Sequence, residues 1–276
     1  MNNRINVINY HLTKKCNYNC KACFASKQGE DLEYTKVCKV CDRIQEFFKD
    51  NKVDSGRVNF AGGEPMMCPF LIDVIKHCAS IGLKTSIITN GYLLTPDKIC
   101  ELADVGVEMI GISVDSIKEE VNRNLGRCLR NNKTLSHERL QENCTAIKKH
   151  GLKLKINSCI TKQNCNEDLY PLLDTIQYDR FKILRAFTVE GHNDHTIETA
   201  STEEFVTFCN RHARYNPVIE GDNDMENSYI ILDQVGNLIS NENNKNTIIG
   251  NCLDNPIQAL FSKIAFNTTS YDKRYK

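Results

Sequence analysis

The stretch Ile5-Asn-Val-Ile-Asn-Tyr-His-Leu-Thr13, followed after two lysines by Cys16-Asn-Tyr-Asn-Cys20-Lys-Ala-Cys23, couples an apolar run of strand length to three closely spaced cysteines. A run of this kind reads as a β-strand, so the cysteines fall in the loop at its carboxyl end. In α/β barrels the chemistry is placed at that end of the strands. Three thiolates from one short loop can ligate three irons of a [4Fe–4S] cubane and leave the fourth iron open as a Lewis acid. A structural zinc site would need a fourth protein ligand, for which His11 or the pair Cys38 and Cys41 stand nearest in sequence. Cys38 and Cys41 lie three apart in a helical pattern, which reads as one face of a helix rather than as a second cluster.

Outward from this stretch, β-branched runs alternate with helical-period stretches, the pattern of repeated βα units and a mostly parallel sheet. The strands read as Ile5–Thr13, Arg57–Ala61, Lys84–Thr89, Met109–Val114, Lys153–Ile160 and Phe181–Phe187. Helices are expected near Tyr34–Asn51, Pro69–Ile81, Thr95–Val105, His137–His150 and Glu167–Gln177, with one more near Thr202–Tyr215. Beyond them Ser228–Asp233, a turn at Val235-Gly236-Asn237 and Leu238–Ser240 read as a hairpin, Asn241–Asn246 as a loop, and Ser270–Lys276 as a polar, basic tail that frays. The fold class is therefore α/β, a partial (βα)6 TIM-like barrel over residues 1–190. Residues 191–276 form a C-terminal extension with a β-hairpin that packs on the barrel as part of a single structural unit.

The 276 residues carry 35 basic and 35 acidic side chains, so no net field recruits nucleic acid or an anionic membrane, and any anion site must be local. Fourteen cysteines occur without a secretory signal. They read as reduced thiols of a cytoplasmic protein, and Cys68, Cys78, Cys100, Cys128, Cys144, Cys159, Cys209 and Cys252 read as core or helix-face residues.

The cysteine spacing, together with Gly62-Gly63-Glu64-Pro65 at the end of the second strand, resembles the radical S-adenosylmethionine (SAM) superfamily. Within it the chain is similar to the viperin family of nucleotide dehydratases, its prokaryotic members in particular. The marks are Asn9-Tyr10-His11, Asn59-Phe60-Ala61 ahead of the glycines, Thr89-Asn90-Gly91, Ser113-Val114-Asp115-Ser116, Gly126-Arg127, Lys155-Ile156-Asn157-Ser158, Arg180-Phe181-Lys182, Val189-Glu190-Gly191 and Ser228-Tyr229 through Asp233. The resemblance implies that Cys16, Cys20 and Cys23 hold a [4Fe–4S] cluster, and that Gly62, Gly63, Glu64, Asn90 and Ser113 bind SAM. The superfamily usually places an aromatic residue just before the third cysteine. Here that residue is Ala22, so Phe24 is expected to cover the adenine.

The resemblance further implies a 5′-deoxyadenosyl radical that takes the ribose 4′ hydrogen of a nucleoside triphosphate. Loss of the 3′ hydroxyl as water then leaves a 3′-deoxy-3′,4′-didehydro nucleotide, an antiviral chain terminator. CTP is the favoured substrate, with UTP or GTP as alternatives, and the electron donor is expected to be a flavodoxin or ferredoxin. Arg57, Arg127, Lys155 and Lys182 are expected to neutralise the phosphates, Asn9 to bind the nucleotide, Asn157 and Arg180 to lie near the base, and Tyr229 to supply the final hydrogen or to serve only the backbone. Side chains on strands repeat with period two, so Lys155 and Asn157 share a face, as do Arg180 and Lys182.

Animal members carry an amphipathic N-terminal anchor, whereas the first strand here begins within five residues of Met1, so no membrane contact is expected. A monomer is expected. Tyr271-Asp-Lys-Arg-Tyr-Lys276 also resembles, weakly, the family's basic tail that closes over the phosphates. The alternatives are a radical SAM enzyme for another substrate such as a peptide, and a non-enzymatic iron–sulfur or zinc module. The scarcity of cysteines in the last hundred residues argues against a peptide modifier, and a module would have no use for the glycine motif.

Overall fold

The computed structural model describes residues 5–25, 29–193 and 195–275. Side-chain alternation gives the sheet two unlike faces. In β5 (Lys153–Ile160) the residues Leu154, Ile156, Ser158 and Ile160 are buried while those between them are not. Its neighbours are β1 (Val7–Thr13), β2 (Arg57–Gly62), β3 (Lys84–Thr89), β4 (Val107–Ser113) and β6 (Arg180–Arg185), paired parallel in sequence order. Ile8, Tyr10, Leu12, Val58, Phe60, Ile110, Ile112, Leu154, Ile156, Phe181 and Ile183 join one hydrophobic cluster on the outer face. Helices α1 (Tyr34–Asp50), α2 (Leu71–Ser80), α3 (Pro96–Asp104), α4 (Glu119–Asn124) and α5 (His137–Lys149) connect the strands, and apolar residues of all but α4 join that cluster. Each fully buried aliphatic or aromatic side chain there contributes about 1.5–3 kcal/mol. That outer layer leaves the inner face free to be polar.

The helix starts follow local chemistry. Thr95 and Ser136 accept the Lys98 and Arg139 amides at the starts of α3 and α5, and Ser201 with Glu204 forms a capping box on α7 (Thr202–Arg211). The helix expected over Glu167–Gln177 shrinks to α6 (Tyr170–Leu173). Its Thr175 hydroxyl turns back onto the Pro171 and Leu172 carbonyls, and the chain must enter β6 only five residues later. The helix expected to run to Tyr215 ends at Arg211 and continues as a single tighter turn over Ala213–Tyr215.

The C-terminal third departs most from expectation. Strand β7 (Val218–Glu220) adds to the β6 edge, and β8 (Ile231–Leu232) adds to the β1 edge, each parallel to its neighbour. Strand β9 (Asn237–Glu242) pairs with β8 as the expected hairpin. The stretch expected as an Asn-rich loop instead finishes β9, turns at Asn243-Asn244 and begins β10 (Lys245–Asn251). Both turn residues have positive φ, 52° and 59°, which asparagine tolerates and a hairpin turn requires. The described residues thus form one ten-stranded sheet in the order β10-β9-β8-β1-β2-β3-β4-β5-β6-β7. Lys182 of β6 reaches the Tyr229 hydroxyl just ahead of β8, so the sheet curls until its edges nearly meet, a partial barrel.

Past α8 (Asp222–Met225) and α9 (Ile257–Phe261), the tail expected to fray is the helix α10 (Thr268–Tyr275); Lys276 lies outside the described residues. Tyr271 and Arg274 hold it down, both 3% exposed. The Tyr271 hydroxyl accepts the Asn6 and Val7 amides and donates to the Asn6 side chain, fastening the last helix to the first strand. Among the described residues no helix is long and apolar enough to cross a membrane.

Candidate active site

Parallel strands bring their carboxyl ends to one rim, and the loops there enclose a cavity of about 260 Å3. Cys16, Cys20, Cys23, Phe24, Gly62, Gly63, Glu64, Asn90, Ser113 and Arg127 all line it. The cysteine loop is clamped from the side: the Asn19 and Lys21 amides donate to the carbonyls of Gly126 and Leu125. Gly126 has φ +71°, and a Cβ on it would come within 2.2 Å of the Asn19 carbonyl oxygen, so only glycine lets the two loops meet. The glycine motif docks in the same way, with the Gly63 and Glu64 amides on the Thr13 and Lys15 carbonyls. A Cβ on Gly63 would lie 2.1 Å from the Lys15 oxygen.

This donor set fits a cubane. Cys16 is exposed and Cys20 and Cys23 are half-buried, all facing one cavity. Among the described residues no three His, Cys, Asp or Glu side chains converge as ligands of one metal ion. A cubane asks for something else, three thiolates spread over three irons. Burial pushes the Cys20 thiol up to about 12 while Arg127 pulls it down, so Arg127 favours the thiolate that iron needs.

The features expected to hold SAM also fit. Glu64 is 1% exposed and accepts from the Thr89 hydroxyl at 2.7 Å, the Asn90 amide at 2.8 Å and the Met66 amide at 3.1 Å. A carboxylate has about four acceptor positions, so one is left for an ammonium. Burial raises its pKa against those hydrogen bonds and the distant Arg127. Asn90 is tied to the cysteine loop, donating to Asn17 at 2.7 Å and lying 4.0 Å from the Cys16 sulfur. Phe24 lies 5.6 Å from Phe187, and both residues line the cavity.

Below the cavity the inner face of the barrel is layered by the strand repeat. His11, Ala61, Cys159 and Leu184 line the cavity floor. Two residues earlier on the same strands come Asn9, Asn59, Asn157 and Lys182, and two earlier again Arg57, Lys155 and Arg180. Each layer is one pleat repeat, about 6.6 Å, beneath the last. In the middle layer the Ser86 hydroxyl donates to Asn59 at 2.9 Å and Asn59 to Asn9 at 2.8 Å, while the Asn157 amide oxygen is buried without a partner among the described residues. In the lowest layer Lys155 pairs in register with Arg180, and the Nε atoms of Arg57 and Arg180 are buried without partners among the described residues. Lys155 has no hydrogen bond or ion pair among the described residues, and burial and then the Lys182 and Arg180 charges push its pKa well below the usual lysine range.

Two expectations about placement need correction. Arg127 does not join the other cations, because its segment follows β4 and therefore lies at the cavity rim. There it pairs with Asp115 at 3.0 Å and donates to the Ser113 carbonyl at 2.6 Å. Arg180 lies with Lys155 in the cation layer, not among the neutral side chains of the layer above, and it donates to the Arg274 carbonyl.

Sequence reasoning missed the centre of the lower site, Glu220. This carboxylate, 3% exposed, receives Lys182 at 2.5 Å, Arg274 at 2.6 Å and the Tyr229 hydroxyl. Burial opposes its charge, but Lys182 and Arg274 hold its pKa down to about 2. The same burial lowers Lys182 to about 7 against the pull of Glu220, and raises Tyr229 well above its ordinary value. Arg274 stacks 3.5 Å over the Tyr229 ring and donates to the Ser228 and Asp224 carbonyls. The signal available was chemical: inward lysines demand a counter-ion, and Glu220 stands nine residues ahead of Tyr229 in a strand too short to recognise. Cys159, expected in the core, instead faces the cavity.

The description of the family model that matches residues 10–176 is the radical SAM superfamily. An S-adenosylmethionine-dependent nucleotide dehydratase from Flammeovirga pacifica is 30% identical over 99% of this chain and 94% of its own length. Another of the same description, from Selenomonas ruminantium, is 32% identical over 97% and 98%. Among solved structures, Streptococcus suis SuiB bound to its precursor peptide SuiA superposes with a TM-score of 0.68 at 17% identity, over 97% of this chain and 66% of that one. The anSMEcpe structure with bound AdoMet and the Cp18Cys peptide gives 0.67 at 14%, over 96% and 83%. At such identities these two speak for the fold alone.

Proposed function

The chain belongs to the radical SAM superfamily and, within it, to the S-adenosylmethionine-dependent nucleotide dehydratases, and from that premise we propose that it removes water from the ribose of a nucleoside triphosphate to give the 3′-deoxy-3′,4′-didehydro nucleotide. The observation that carries this reading is the layering of the barrel, a cysteine-lined cavity over a layer of amides and Lys182 over a cation layer. A nucleoside triphosphate lying along the barrel would put its phosphates on Arg57, Lys155 and Arg180 and its ribose beside Asn9, Asn157, Lys182 and Tyr229. That leaves the sugar one strand repeat, about 6.6 Å, below the cavity floor.

A [4Fe–4S] cluster on Cys16, Cys20 and Cys23, together with SAM against Gly62, Gly63 and Glu64, would supply hydrogen-atom abstraction from the ribose. What the protein adds is placement. The cations fix the phosphates and so the height of the sugar, the amides meet its hydroxyls and the base, and the curled sheet with α10 across one end keeps water out. The unpaired Lys155 ammonium and the partnerless guanidinium nitrogens are expensive in a folded protein, and an anionic ligand relieves them.

CTP is the favoured substrate by family likeness, with UTP or GTP as alternatives. A flavodoxin or ferredoxin as electron donor, a monomer in the cytoplasm and a role in antiviral defence belong to the same reading. A peptide substrate, as for the SuiB and anSMEcpe structures, is disfavoured by the buried cations, which no neutral backbone would need. The test is anaerobic incubation of the reconstituted, reduced protein with SAM and each of CTP, UTP, GTP and ATP. Mass spectrometry should find one nucleotide converted to a product lighter by one water; no such product from any of the four sinks the proposal.

A further inference from the structure

Glu220 is out of place in a triphosphate site. A carboxylate among Arg57, Lys155, Arg180, Lys182 and Arg274 weakens phosphate binding, yet it is almost wholly enclosed and both its oxygens are engaged. One oxygen accepts from Lys182 and Arg274, and the other accepts from the Tyr229 hydroxyl. Lys182 also donates to that hydroxyl, so ammonium, phenol and carboxylate close a three-membered hydrogen-bonded ring. Lys182 belongs to the middle layer, opposite Asn157, at the height of the ribose and not of the phosphates. If Glu220 served only to hold α10, one bond to Arg274 would suffice.

Resting on the dehydratase reading above, we propose that Glu220 is a positioning residue that holds Lys182 and Tyr229 as the proton source for the departing 3′ oxygen of the ribose. Once C4′ has lost its hydrogen atom, the C3′–O bond breaks heterolytically and its electron pair leaves on oxygen. That oxygen takes one proton from the Lys182 and Tyr229 pair and departs as water. The sugar, left as a radical cation, accepts one electron from a flavodoxin- or ferredoxin-class donor and becomes the neutral didehydro nucleotide. Glu220 touches none of the reacting atoms. It keeps the ammonium charged within the enclosed barrel interior and fixes the direction of the phenol, so a proton stands ready where charge develops.

The experiment compares wild type, Glu220→Gln, Tyr229→Phe and the double variant, each reconstituted as holoenzyme. It reads the ratio of dehydrated nucleotide to 5′-deoxyadenosine and, separately, the nucleotide Kd by calorimetry. Glu220→Gln should lower the ratio at least about tenfold, while the Kd moves by less than about threefold. The double variant should fall no further than Tyr229→Phe alone, because the two residues act through one hydroxyl. An unchanged ratio in Glu220→Gln, or losses in the double variant that multiply, overturns the proposal. If Glu220→Gln does not fold, Glu220→Asp replaces it and must show the same drop in ratio, or the proposal fails. Wild type that makes no dehydrated nucleotide brings down the dehydratase reading and this proposal together, whereas wild-type product with an unchanged variant ratio removes the role of Glu220 alone.

Discussion

Lys155 shows most clearly how a single side chain trades stability for binding. It stands in the barrel interior with no partner among the described residues, and its charge is resisted by burial and by Lys182 and Arg180. Replacing an unpaired, half-buried charge by an apolar chain of similar length commonly stabilises a protein. Lys155→Met should therefore raise the Tm while weakening nucleoside triphosphate binding by about tenfold to a hundredfold and leaving SAM binding little changed. Calorimetric titration of both ligands against a thermal melt reads all three, and parallel loss of both affinities would indicate damage to the fold instead. A pH effect follows with a definite sign. Burial holds the Lys182 pKa down to about 7 and that of Lys155 well below the lysine range. A bound phosphate raises both, so binding takes up protons and affinity falls as pH rises through 7 toward 9. Titrations in buffers of different ionisation enthalpy should register that uptake; release or no net exchange would mean that no phosphate lies against Lys155 in the layer below Lys182. These residues were legible from sequence because period two on a parallel strand puts Lys155 with Asn157, and Arg180 with Lys182, on one face. Glu220 was not, since its own strand is three residues long and its partners come from β6, α10 and the loop ahead of β8.

Among the elements, the cysteine loop and the last helix carry the sharpest tests. The cysteine loop is held by its fit against Gly126, where an added Cβ would meet the Asn19 carbonyl at 2.2 Å under a backbone already at positive φ. Gly126→Ala should lower the iron content after reconstitution, seen as reduced absorbance of the cluster, while far-ultraviolet circular dichroism stays that of wild type; full iron content would show that the contact is dispensable. Helix α10 depends on Arg274, whose guanidinium satisfies Glu220, Ser228 and Asp224 at once. Arg274→Ala should cost about 3 kcal/mol, a Tm drop of about 8 °C, and a drop under 2 °C would mean the helix is held by Tyr271 alone. The core βα elements were readable because each is long and strongly periodic. The tail misled because Tyr271-Asp-Lys-Arg-Tyr is polar by composition, and only its docking on β1 and Glu220 makes it a buried helix. The Asn-rich stretch misled for a related reason: asparagines that read as loop were the two left-handed residues of a tight hairpin.

At the scale of the whole molecule, one curled sheet solves two problems together. Its outer face buries the apolar residues that stabilise the chain, and its inner face stacks cavity, amides and cations along a single axis. Strands from the last third of the sequence extend both edges, so Tyr229 and Glu220, distant from β6 along the sheet order or the chain, arrive beside Lys182. The barrel and its cysteine loop could be read from a strand, a spacing and a glycine motif; the closing of the barrel by β7, β8 and α10 could not, because it depends on contacts between residues far apart in sequence. On the proposed reading, ribose C4′ would lie beneath the cysteine-lined cavity. The decisive measurement is isotope transfer with the reconstituted, reduced enzyme and CTP, or whichever triphosphate proves active, deuterated at the 4′ position. Deuterium should appear in the 5′-deoxyadenosine formed alongside the dehydrated product, whereas 5′-deoxyadenosine free of deuterium would mean that the ribose does not lie where the barrel's layers put it.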